Sequence, residues 1–205
     1  MRYEMSAENE MKLFLKKLRG CASCPRLVSN RRQIGYDQPI LPSGNASSRI
    51  LIIGQAPGRM PPQADVSKTS DKPFAQGSGT MLDKMLKHAG LDRSTVFIAN
   101  ILQCNTPQDG KFTDEEVLNC KKHLKKIIDI TQPKVVVTLG KFAAMSLNKS
   151  FFPKDTKIFN VWHPAFIQRK QTALAQYKLQ WEEIGKAAKV YAGSKNIMDV
   201  LNKCK

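Results

Sequence analysis

The chain has 205 residues, 41% of them hydrophobic, enough to bury a full core, and one domain spanning 1–205 is expected. Its 33 Lys and Arg against 17 Asp and Glu give a formal charge of +16, an imbalance that points to a polyanionic partner, nucleic acid first. No apolar run is long enough to span a bilayer and the opening MRYEMSAENE has no apolar secretory stretch, so a cytoplasmic, nucleoid-associated monomer is expected, in a compartment where disulfides are disfavoured.

In chain order, Ser6 is an N-cap for a helix whose stripe is Met11, Phe14, Leu15 and Leu18 and which stops at Gly20. The CxxC pair Cys21 and Cys24 follows at once. Residues 25–48 are rich in turn formers and arginines and read as an irregular arm. Arg49 to Ile53 is a buried strand running into GQAPG at Gly54–Gly58, and the Pro-, Ser- and Lys-rich stretch from Pro57 to Pro73 is a long loop of the kind that is usually functional. Gly77-Ser78-Gly79-Thr80 opens a helix carrying Met81, Leu82, Met85 and Leu86, capped at Gly90. Val96 to Leu102 is the second strand. Thr113 to Glu116 is a capping box for a helix with Val117, Cys120, Leu124 and Ile127 on one face. Val135 to Leu139 is the third strand, turning at Gly140 into a helix through Ala143, Ala144 and Leu147. Ile158 to Trp162 is the fourth, ending in His163-Pro164, and a last helix carries Leu174, Tyr177, Trp181, Ile184 and Ala188. This alternation predicts an α/β fold, a three-layer α/β/α arrangement around a central four-stranded parallel sheet, with a poorly ordered basic tail over 194–205.

The cysteines form two well-separated pairs, Cys21 with Cys24 and Cys104 with Cys120. Neither pair completes a four-thiolate site alone, so the fold must bring them together around one ion or cluster. Spacing does not separate zinc from an iron–sulfur cluster. Cys204, in the tail, reads as an incidental free thiol, and His88 and His123 as solvated among lysines, as does the run Lys121, Lys122, Lys125, Lys126.

In an open α/β sheet, ligands bind beyond the carboxyl ends of the strands. The residues there are Gln55-Ala56-Pro57-Gly58, Asn100 to Thr106, Gly140 and His163-Pro164. They offer an amide, a histidine and glycine-rich backbone, but no nucleophile beside a base. With neither GxxxxGK(S/T) nor GxGxxG, triphosphates and dinucleotides are excluded as the expected ligands.

Four motifs in order, GQAPG after a strand, KPFAQGSG before a helix, the strand end IANILQC, and WHPAFIQR, resemble the uracil-DNA glycosylase superfamily. With the cysteine pattern, the chain from Cys21 to about Arg169 is similar to the iron–sulfur (family 4 type) uracil-DNA glycosylases of bacteria and archaea. The resemblance implies a DNA repair hydrolase that flips uracil, or another deaminated base, out of DNA and cuts its glycosidic bond, leaving an abasic site. It implies that Phe74 stacks on the base, Asn100 reads its Watson–Crick edge, and His163 donates to O2 of the leaving base. Backbone N–H groups of Gln55 and Ala56 would help hold it. Gly77, Ser78, Gly79 and Arg169 would meet DNA phosphates, and Cys21, Cys24, Cys104 and Cys120 would ligate a 4Fe–4S cluster that organises the DNA-facing loops, zinc being the competitor.

The chain departs from the family pattern where it matters. The carboxylate of GE(A/G)PG, which assists the attacking water, is Gln55 here, and the position that is aspartate in another branch is Ala56. Glutamine orients water but removes no proton, and general-base help is worth ~10²–10⁴-fold. Asp65 and Asp71 are the nearest carboxylates in sequence. The loop from Gly58 to Asp71 is longer than in the family, and an arginine-rich stretch after Cys104 is replaced by Asn-Thr-Pro-Gln-Asp. The alternative is therefore a catalytically weak or inactive homologue that binds DNA or protein, and a second rival is a zinc-stapled nucleic-acid-binding domain.

Overall fold

The computed structural model describes residues 5–58, 72–75, 77–107 and 110–191. Asp65, Asp71, the loop around them, Cys204 and the basic tail lie outside the described residues.

Helix α1 (Ala7–Arg19) begins where Ser6 accepts the Asn9 N–H (3.3 Å), as its N-cap role requires. The segment expected to be an irregular arm is in part helical. Helix α2 (Pro25–Gln33) starts with proline at its first turn, where the missing N–H costs nothing, and buries Leu27 and Arg31. A buried arginine occupies the place of an apolar residue, so the helical stripe is hidden from a hydrophobicity reading. The remaining elements are strand β1 (Ser43–Gly44), strand β2 (Ile50–Gly54), helix α3 (Ser78–His88), strand β3 (Phe97–Asn100), helix α4 (Asp114–Thr131), strand β4 (Val135–Leu139), helix α5 (Lys141–Ser146), strand β5 (Lys157–Val161), helix α6 (Pro164–Arg169) and helix α7 (Leu174–Ala188). The capping box of α4 is formed in full by Thr113 and Glu116.

The sheet has five strands in the order β1-β3-β2-β4-β5, one more than the sequence suggests. The extra strand, β1, is two residues long and runs antiparallel to β3, too short for any alternation to show. Its Gly44 sits at φ 117°, and a side chain there would come within 2.2 Å of the Val96 carbonyl oxygen. The other strands are parallel and β2, β3 and β4 are buried throughout. Their side chains alternate between two cores, as the period of a strand requires. Leu51, Ile53, Phe97, Ala99 and Val136 meet Met11, Leu27, Leu124 and Ala143 on one face. Ile50, Ile52, Ile98, Val135 and Val137 meet Leu82, Leu86, Ile167 and Trp181 on the other. Helices thus cover both faces, giving the expected three layers. Among the described residues no helix is long and apolar enough to cross a membrane.

Candidate active site and thiol cluster

The parallel register pairs Gly54, the last residue of β2, with Asn100, the last of β3. Pairing continues past both: the Ile101 N–H donates to the Gly54 carbonyl and the Leu102 N–H to that of Gln55, each at 2.9 Å. Asn100 is 1% exposed, and its Oδ1 has no hydrogen-bond partner among the described residues. A side chain at position 54 would place its Cβ 2.4 Å from Asn100 Oδ1 and 2.5 Å from Phe74 Cζ. Glycine is what lets the amide and the ring share this corner. Across the sheet, Gly140 closes β4 at φ 90°, and a Cβ there would lie 3.1 Å from that of His163. His163 follows β5 as N-cap of α6, and its ring centroid is 5.8 Å from that of Phe74, tilted by 38°. Phe74, Asn100 and His163, taken from three separate segments, therefore converge on the carboxyl ends of the strands.

The protonation of His163 is set locally. Its Nδ1 accepts the Ala165 N–H (3.2 Å), which leaves Nε2 to carry the proton. Burial, with Arg169 nearby as the second cause, holds its pKa below the ordinary 6.5. At neutral pH the residue is a neutral imidazole with one N–H to give.

Gln55 is partly exposed beside this corner. Ala56 packs its methyl against the core on the α1 and α4 side, which leaves only its backbone for a ligand. Gly77 is the N-cap of α3 at φ 57° and its carbonyl accepts from Gln168 of α6 (3.0 Å), joining the start of α3, with Ser78 and Gly79, to the helix that carries Arg169. Arg169 ends α6 and is exposed.

The two cysteine pairs also meet. Cys21 follows α1, Cys24 is the N-cap of α2, Cys104 lies beyond β3, and Cys120 is on α4. Arg26 of α2 pairs with the buried Glu116 of α4 at 2.6 Å, fixing one pair against the other. All four thiols are free. Burial pushes Cys120 up to about 12 and raises Cys24 and Cys104, and the charges of the other cysteines of the set, Cys21 included, push each of the three further up. Such thiols stay neutral unless a cation favours their ionised form. N–H donors surround them: Arg31 Nη1 to Cys104 Sγ (3.1 Å), the Gln103 N–H to Cys120 Sγ (3.4 Å), and the Asn119 amide toward Cys24 Sγ (3.9 Å). His123 Nε2 lies 3.4 Å from Cys21 Sγ and is half-buried, not solvated. Among the described residues no group of three or more His, Cys, Asp or Glu is placed so that it could hold a metal ion.

Sequence reading missed four residues that build these sites. Arg31 is buried (3% exposed), grips Cys104, and donates Nη2 to the Cys21 carbonyl (3.0 Å). Its signal was its place two helical turns from Cys24, on a segment read as irregular. Asn105, in the stretch that lacks the family's arginines, donates to the Gly58 carbonyl (2.8 Å), and its own carbonyl accepts from Asn30 (2.9 Å). Arg93 donates to the Phe74 carbonyl. His123 was visible only as a helix position one turn from Cys120.

A family model described as the uracil DNA glycosylase superfamily matches residues 41–185. The chain is 27% identical over 187 residues to a type-4 uracil-DNA glycosylase of Archaeoglobus fulgidus, covering 82% of this chain and 89% of that one. It is 30% identical over 151 residues to a type-4 uracil-DNA glycosylase of Thermotoga maritima, covering 74% and 70%. A type-5 uracil-DNA glycosylase of Pyrobaculum aerophilum is 28% identical over 149 residues, covering 63% and 66%.

The environment of His163 makes a prediction independent of any substrate. In an NMR pH titration its ring titrates below 6.5, and Arg169→Ala moves the midpoint part of the way back up. Because the depressed value belongs to the folded state, the unfolded chain takes up the proton first as pH falls. Stability from this group is complete above pH 6.5 and declines as pH drops from there through the native midpoint. A midpoint at or above the ordinary value would show that the ring is solvated.

Proposed function

Because the chain is an enzyme of the uracil DNA glycosylase superfamily, we propose that it hydrolyses the N-glycosidic bond of uracil flipped out of DNA and leaves an abasic site. The observation that carries this reading is the unpartnered Oδ1 of buried Asn100 beside the Phe74 ring. Leaving a buried acceptor unpaired costs about 1–3 kcal/mol, a cost relieved when a base with an N–H next to a carbonyl enters. Uracil has that edge: N3–H donates to Oδ1 and O4 accepts from Nδ2. Phe74 supplies a face on which the ring stacks.

As the bond breaks, its electron pair moves to the base and positive charge grows on the sugar. The neutral His163 donates Nε2–H to O2, where the negative charge collects, in the manner of an oxyanion hole. The backbone N–H groups of Gln55 and Ala56 help hold the base. Water then adds to the sugar cation and loses a proton to solvent. Gln55 orients that water without accepting its proton, a step for which a strongly electrophilic cation needs little base help. Gly77 and Ser78 present the free N–H groups of a helix start to DNA phosphates, with Gly79 buried behind them against the Phe74 carbonyl, and Arg169 adds a positive charge.

Cys21, Cys24, Cys104 and Cys120 hold a 4Fe–4S cluster. The donor set fits: four thiols in mutual electrostatic contact, three with N–H donors, and Arg31 as a buried counter-charge. A tetrahedral zinc site needs every sulfur ~2.3 Å from one point, whereas a cluster takes each thiolate at a separate iron. When bound, the cluster anchors the loops that leave α1 and β3.

The decisive assay is cleavage of a uracil-containing oligonucleotide after alkaline treatment. Asn100→Ala and His163→Ala are each expected to slow base release by ~10²–10³-fold, as for loss of an oxyanion donor, with binding to undamaged DNA retained. Intact oligonucleotide at stoichiometric protein would favour the inactive DNA-binding homologue that Gln55 allows. Gln55→Glu tests the missing carboxylate directly: a faster variant shows that water activation limits the native chain, and an unchanged rate shows that it does not. For the thiols, the purified protein is expected to be brown and to contain four iron and four sulfide per chain, both lost together in Cys120→Ser. One zinc per colourless chain would exclude the cluster.

A further inference from the structure

Phe74 holds a backbone conformation that side-chain-bearing residues rarely adopt, with φ 54°. Such a residue persists only where its surroundings over-determine it, and here they do so on one atom. The Phe74 carbonyl oxygen lies where a Cβ of Gly79 would come within 1.8 Å, so the first turn of α3 closes directly on it. From the other side Arg93, in the turn before β3, donates Nη2 to the same carbonyl (2.5 Å) and Nη1 to that of Pro73 (3.1 Å). Its third edge is occupied as well: Nε donates to Asp83 Oδ1 of α3 (2.7 Å). One guanidinium thus ties two successive carbonyls to the helix behind them, the kind of planar fork that lysine does not supply.

We infer that Arg93, anchored by Asp83, is a positioning residue that fixes the Phe74 ring against Gly54 and beside His163 for base stacking. The inference rests on the reading of Phe74 as the stacking residue. Arg93 reaches the Pro73 and Phe74 carbonyls and the Asp83 carboxylate, so its effect on the site passes through the backbone that carries the Phe74 ring. If the 73–74 segment relaxes out of its left-handed turn, the ring swings away from Gly54. Misplacing a substrate-positioning group by about 1 Å can cost on the order of 10²-fold in rate.

The test is a double-mutant cycle on uracil-containing DNA under single-turnover conditions. Arg93→Gln is expected to lower the rate of base release by about 10- to 10²-fold, while the dissociation constant for undamaged duplex and the visible absorbance of the protein stay as in the parent. In a Phe74→Ala background the same substitution is expected to cost nothing further. Asp83→Asn, whose side chain is 53% exposed, leaves the guanidinium in place and is expected to give a smaller loss, again absent without Phe74. If Arg93→Gln does not fold, this variant decides alone. A parent-like rate in both variants, or an equal loss with and without Phe74, overturns the inference. The two readings fail differently. If Phe74→Ala itself is as fast as the parent, the stacking role is wrong and the clamp falls with it. If Phe74→Ala is slow but Arg93→Gln and Asp83→Asn are not, the clamp alone is wrong.

Discussion

The absent side chain at position 54 is the constraint on which the site depends. Parallel pairing fixes Gly54 opposite Asn100 at the ends of two central strands, and any Cβ there would collide with both the Asn100 amide and the Phe74 ring. Because β2 and β3 are paired with each other up to this point and their side chains are buried on both faces, neither strand can shift to make room. The amide is consequently held at 1% exposure with an acceptor that no described residue pairs, and a ligand donor reaching this corner would complete it. On the proposed reading, the rigidity of the sheet would be converted into specificity for a donor at one point.

The electrostatics divide in the same way between fixed and missing parts. The base side of the proposed transition state is well served: the His163 imidazole is kept neutral by burial and by Arg169, with its tautomer set by the Ala165 N–H. A neutral donor suits a base that departs as an anion, since it stabilises the charge without having to be regenerated from an imidazolium. The sugar side has no carboxylate at position 55. A chain charge of +16 suits a polyanionic substrate such as DNA.

Much of this was legible in the sequence because it depends on local rules. The apolar runs Ile50–Ile53 and Val135–Leu139, the capping box at Thr113, and the N-cap at Ser6 all fall where the chain has them. The meeting of Asn100 and His163 followed from reading strand ends, and Phe74 joined them through the resemblance of KPFAQGSG to the family's motif. What escaped was polar and non-local. Arg31 turns the inner face of α2 into something that does not look hydrophobic, so a helix passed for an arm. Strand β1 is too short to alternate. The Arg93 fork binds backbone carbonyls distant in sequence, and no residue pattern announces which carbonyl an arginine will find. His123 sits among lysines in sequence, yet in space its ring meets Cys21 and Phe14.

The thiols and the base site are not independent, because the same two segments serve both. The chain leaving β3 carries Asn100 first and Cys104 shortly after it; the chain leaving β2 carries Gln55 and then Gly58, whose carbonyl is held by Asn105. Asn105 is in turn held by Asn30 on α2, the helix whose first turn follows Cys24 and whose Arg31 grips Cys104. A metal centre on these sulfurs, as proposed, would therefore fix the far ends of the loops that carry Gln55 and Asn100. Burial alone works against it, since Cys120 is pushed up to about 12 and would remain a thiol. The ionisation needed for ligation has to be recovered from the metal's charge and from Arg31. On the proposed reading, folding of the loops and loading of the centre would be one coupled equilibrium, which would give a centre built from sulfur and iron a structural use in a glycosidic cleavage that needs no electron transfer.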